Sequence, residues 1–82
     1  MAGEKEYALG RIAESAAAIS RQLQNLSRAE ASLYFHSPEN REMNIEIMRQ
    51  QLAQAQALLV KYEAEARAQD ATDPEVAQAK QQ

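Results

Sequence analysis

The chain has 82 residues with 9 Lys and Arg against 12 Asp and Glu, a formal net charge of −3, no Cys, no Trp, two Gly and two Pro. That length allows one domain, the lack of cysteine excludes disulfides and thiolate zinc sites, and the acidic balance disfavours a general nucleic-acid binder, which carries a basic face. So few turn residues also disfavour a fold of many short strands, and the composition, dominated by Ala, Gln, Glu, Arg and Leu, is that of long helices.

The first element is expected to be a helix over about residues 5–35. Leu9, Ile12, Ala16, Ile19, Leu23, Leu26 and Leu33 recur in steps of three and four, the a/d spacing of a helix seam, with Glu30 as the one break. The residues flanking this stripe are mostly small: Ala13, Ser20, Ser27 and Tyr34 on one side, Ala8, Ser15, Gln22 and Ala29 on the other. Small flanks permit close approach of further helices and differ from the Glu/Lys pairs that flank an isolated two-stranded coiled coil.

His36-Ser37-Pro38-Glu39 then stops one helix and starts the next. Proline disfavours α geometry in the residue before it. Serine is a favourable N-cap, proline suits the first helical position, and Glu39 complements the helix dipole. The second helix is expected over about 38–69, with Ile45, Met48, Leu52, Ala55, Leu59, Tyr62 and Ala66 as its seam. Two helices of nearly equal length joined by a short connection predict an antiparallel hairpin. Folding about the turn sets Leu26 opposite Met48, Leu23 opposite Leu52, Ile19 opposite Ala55, Ala16 opposite Leu59, Ile12 opposite Tyr62 and Leu9 opposite Ala66.

The chain changes character over residues 71–82. Thr72-Asp73-Pro74-Glu75 repeats the N-cap signal, so a short third helix can start at Pro74. Its apolar residues are only Val76 and alanines, which predicts a frayed, polar tail unless it docks.

A lone hairpin buries little, and the second helix carries surplus apolar residues off its seam: Met43, Ile47, Leu58 and Val60. The expected architecture is therefore all-α: a helical hairpin at 1–70 that assembles into a four-helix bundle dimer or higher oligomer, or is completed by a partner's helix. The bland alternative is that the surplus residues only widen the contact inside one chain.

The residue types argue against an enzyme. His36 is the single histidine and cannot form a metal site alone. No Gly-rich phosphate loop is present, the serines lack a second histidine, and a hairpin offers no cleft to perturb carboxylates such as Glu42 and Glu46. No cofactor or metal is expected. Tyr34, Phe35, Met43, Ile47 and Leu58 are the candidate partner-binding residues, because exposed aromatic and Met side chains favour protein interfaces. Arg21, Arg28 and Arg49 are candidate anion-binding residues, with a solvated helix face as the competing reading. The start of the chain lacks the apolar segment of a signal peptide, and no apolar run approaches a membrane span. The expectation is a cytoplasmic protein, of a bacterium or, if phage-encoded, of an infected host cell.

With the Ser37-Pro38-Glu39-Asn40 turn and the stretch Ala57-Leu58-Leu59-Val60-Lys61-Tyr62 placed, the chain between about Glu14 and Glu65 resembles the small co-chaperones of type III secretion needle subunits. The resemblance implies a cysteine-poor helical hairpin that binds a needle subunit and holds it monomeric. The Ala-rich first helix and the polar residues after Asp70 depart from that pattern. The functions expected are thus a non-enzymatic interaction module (adaptor, chaperone or inhibitor), with a phage-encoded inhibitor that sequesters a host protein or a small ligand between subunits, or a structural assembly component, as alternatives.

Overall fold

The computed structural model describes residues 3–31 and 37–81. These form three helices, α1 (Gly3–Ala31), α2 (Pro38–Ala68) and α3 (Asp73–Lys80), with no strand among the described residues. The expected ends of the first helix beyond Ala31, including Leu33, fall outside them.

The caps explain where two of the helices begin. Ser37 is extended (φ −143°, ψ 152°), and its hydroxyl accepts the Asn40 amide at 3.2 Å. Thr72 caps α3 reciprocally: its hydroxyl accepts the Glu75 amide at 3.3 Å while its own amide donates to Glu75 Oε1 at 2.9 Å. Between the two, α2 stops in a left-handed residue, Asp70 (φ 66°). The Asp70 amide donates to Arg67 O at 3.1 Å and the Ala71 amide to Ala66 O at 3.0 Å. That is the paired 5→2 and 6→1 bonding of a Schellman turn, with Ala71 packed on the core as its apolar contact. Glycine adopts this backbone without Cβ strain. Asp70→Gly is expected to stabilise the fold by about 0.5–1 kcal/mol, read as a higher melting temperature.

α1 and α2 lie side by side with opposite chain directions. Arg11 stacks over the Tyr62 ring at 5.2 Å near one end, and Glu30 lies 3.9 Å from Arg49 towards the other. The molecule measures 52 × 17 × 16 Å. Its radius of gyration of 16.0 Å exceeds the ~12 Å of a compact chain of this length. The cross-section leaves no room for more than one layer of contact between the long helices.

On α2 the expected seam holds. Ala55, Tyr62 and Ala66 are buried, and Ile45, Met48, Leu52 and Leu59 are half-buried. On α1 the seam is turned by one position. Ala8, Ile12, Ser15 and Ala29 are buried, with Ile19, Gln22 and Leu26 half-buried between them. Ile12, Ile19 and Leu26 belong to both stripes, and Leu9 and Ala16 of the expected seam are half-buried, Leu9 against the core, but Leu23, expected inside, is 50 % exposed. Glu30 is then no flaw in the seam, because Ala29 takes the seam position and Glu30 sits at its edge. The reason is volume. α2 brings Met48, Leu52, Leu59 and Tyr62 to the contact, so α1 packs densely only by presenting small side chains.

The region after residue 70 is not a frayed tail. Val76 is 1 % and Ala79 7 % exposed, and both join Ala8, Ile12, Tyr62 and Ala66 in the main core cluster. The core therefore sits at one end of the rod, hereafter the base, where three helices meet.

Candidate functional site

Three ion pairs hold α3 in its seat. Lys5 on α1 reaches Glu75 at 2.9 Å, Arg67 on α2 reaches Asp73 at 3.5 Å, and Lys80 pairs with Glu63. Glu63 also receives Arg67 at 3.7 Å. The Thr72 amide and the Lys5 ammonium stabilise the Glu75 carboxylate and hold its pKa below its ordinary value, and Glu75 in turn raises that of Lys5.

The sign of the resulting pH effect is fixed. A carboxylate with a lowered folded pKa stabilises fully above its unfolded pKa, and that contribution is lost as pH falls through the folded value. Docking of α3 is expected to be insensitive to pH near neutrality and to weaken on acidification below about pH 4, the ordinary carboxylate range. The Val76 methyl resonances followed against pH check this, and Glu75→Gln should remove most of the dependence.

The expected binding residues are placed as follows. Tyr34 and Phe35, like His36, lie outside the described residues. Met43 and Ile47 are one turn apart on α2, 61 % and 48 % exposed. Leu58, 40 % exposed, follows Ile47 by eleven residues, which is three turns of helix and nearly the same direction from the axis. Gln51 and Gln54 complete this line. The four surplus apolar residues of α2, Val60 included, thus reach solvent and do not widen the contact within the chain.

Arg21 and Arg28 are exposed and seven residues apart, on one side of α1. Arg49 does not join them. It pairs with Glu30, which stands two residues on from Arg28 and so on the far side of α1. The structure thus sets the three arginines on two different edges of the rod.

Sequence reasoning missed two features. The Tyr62 ring lies between two cations, with the Arg11 guanidinium at 5.2 Å and the Lys61 ammonium at 5.4 Å from its centroid, and Arg11 is tied to Glu14 at 2.8 Å. The seam spacing placed Tyr62 inside, where it is found, but gave no sign of Arg11, which only the rotated seam of α1 brings against the ring. The second is an open trough of 670 Å³ at the base, floored by Ala8 and Ala68 and bordered by Tyr7, Glu4 and Glu65. It follows from small residues on both helices at that level. No group of three or more His, Cys, Asp or Glu that could hold a metal occurs among the described residues, and no helix there is long and apolar enough to cross a membrane.

No family model matches the chain, and neither a curated protein nor a solved structure matches it.

Proposed function

We propose that this chain is a non-enzymatic protein–protein interaction module, an adaptor, chaperone or inhibitor built on a helical hairpin that is completed by association. The observation that carries the reading is the line of Met43, Ile47 and Leu58 along α2, large apolar side chains that are 40–61 % exposed. Soluble folds leave single apolar residues exposed, but an aligned set on one helix suits a partner that lays an apolar helix face along it. The narrow rod shape supports association as well, since two long helices in one layer leave most of their surface outward. A needle subunit of the kind the sequence resemblance implies is one such helical partner, acting in the cytoplasm.

A photo-crosslinking residue at Gln51, between Ile47 and Leu58 on the same line, tests the proposal in cells that express the protein. The expected result is a covalent adduct with one foreign protein, reduced at least tenfold when Ile47→Glu and Leu58→Glu are added. An adduct that survives both substitutions, or none at all, would remove this surface from the function.

A further inference from the structure

α3 hangs from one long helix and rests on the other. The chain enters it from α2 through residues 69–72, yet it lies mainly against α1. Val76 and Ala79 join Ala8 and Ile12 in the core cluster, with Leu9 packed against it, and Lys5 holds Glu75 at 2.9 Å. Charge fixes the direction of the helix in this seat. Lys5 and Arg67 meet Glu75 and Asp73 in its first turn, and Glu63 meets Lys80 in its last. A reversed helix would set like charge against like at both ends.

The turn that brings α3 back is short and strained. It spans residues 69–72, and Asp70 alone among the described non-glycine residues has a positive φ, 66°. A left-handed backbone is unfavourable for a residue with a Cβ, and only the closed turn requires it.

We infer that α3 is an exchangeable helix: two copies of the chain meet base to base, and each seats its α3 on α1 of the other. This goes beyond the proposed partner surface and leaves Met43, Ile47 and Leu58 free.

The contacts of the seat name its occupant. α3 fills it in the closed chain, and the α3 of a second copy brings the same Val76, Ala79, Asp73, Glu75 and Lys80 in the same direction. The exchanged form therefore keeps the contacts of the seat and is relieved of the left-handed Asp70. Short, strained hinges favour such exchange. Geometry agrees. Asp73 pairs with Arg67 and Lys80 with Glu63, so α3 runs antiparallel to α2. Opening the turn sends α3 onward past the base, where an inverted second copy presents its own seat. Pro74 keeps the opened chain from becoming one continuous helix, because its ring excludes the α bond to Asp70. The Thr72 capping box thus still starts α3. The dimer is a rod of nearly twice the 52 Å length of one copy. A short tether gives closure within one chain an effective concentration on the order of 1 mM, so the native chain is expected to dimerise at about that concentration.

Charge reversal in two different chains tests the exchange. Lys5→Glu in one chain and Glu75→Lys in another each set like charges across the seat of a closed molecule. In a mixed exchanged dimer the Lys5→Glu seat receives the Glu75→Lys helix, and the native Lys5 seat receives the native Glu75 helix. Both pairs are then opposite again. After joint refolding, the equimolar mixture is expected to dimerise at concentrations at least tenfold lower than either variant alone. Light scattering gives the mass, and X-ray scattering a maximum dimension near twice that of the monomer. Asp70→Pro forbids the closed turn by fixing φ near −65°. It should give a dimer of native helicity at micromolar concentration, with the bond after Arg67 still resistant to trypsin. A mixture with the mass of monomers, a monomeric Asp70→Pro chain, a native chain still monomeric at several millimolar, or a native dimer no longer than one copy would each overturn the inference. Ile47→Glu and Leu58→Glu should leave this dimer intact, so its failure and that of the proposed partner surface are read separately.

Discussion

Replacing Val76 by aspartate is expected to release α3 and lower the stability of the whole molecule by about 3 kcal/mol or more. Val76 is 1 % exposed and packs among Ala8, Ile12, Tyr62 and Ala66. A carboxylate there would have to leave water for an apolar seat, so the helix leaves its seat and does not bury the charge. Undocking re-exposes Ile12 and Ala66 as well, which is why the effect exceeds the loss of one valine. The capping box at Thr72 cannot compensate, because an eight-residue helix is far below the length at which helices are stable alone. Thermal unfolding gives the size of the loss, and trypsin cleavage after Arg67 reports the release. A Val76→Asp protein with native melting temperature and native resistance would mean that α3 contributes nothing to the core.

Ile12→Ala is the second large effect, expected at about 3 kcal/mol within the range for buried Ile truncations. Ile12 is fully buried and is the one large residue of α1 in the main core cluster, set where all three helices meet. Its neighbours are mostly alanines, which have no side-chain freedom with which to fill the space it leaves. Leu23→Ala serves as the matched control. It removes a similar volume from a position that is 50 % exposed and should cost less than about 1 kcal/mol. Chemical denaturation of both variants decides the matter: equal losses would contradict the rotated seam of α1.

That rotation also shows how far the sequence could be read. The seam of α2 was legible because its large residues, from Ile45 to Tyr62, lie on one stripe and its start is marked by Ser37 and Pro38. On α1 the hydrophobic pattern pointed rightly to Leu9, which packs against the core, but also to Leu23, which is half-exposed, and it passed over Ala8 and Ser15, which packing buries. A periodicity argument ranks residues by hydrophobicity and is blind to the volume that the facing helix already brings. The N-cap of α3 was legible at Thr72, but its docking was not. Val76 and two alanines give a weak signal, and their burial becomes favourable only because Ala8, Ala66 and the ion pairs of Lys5 and Lys80 shape a seat for them. At the candidate interaction surface, the sequence set Met43, Ile47 and Leu58 off the seam but left open whether they widen the contact within the chain, because that depends on how closely the two helices approach; packing leaves them 40–61 % exposed.

The position of α3 in the chain has a kinetic consequence. Val76 and Ala79 meet Ala8 and Ile12 across roughly 65 intervening residues, a sequence separation that makes this contact entropically slow to form. Pairing of α1 with α2 must come first, since it creates the surface on which the last helix lands. Interactions that form after the rate-limiting step leave the folding rate nearly unchanged and act on unfolding. α3 then works as a latch on a clamp already closed: it sets how long the folded molecule lasts, and has little say in how quickly it arises.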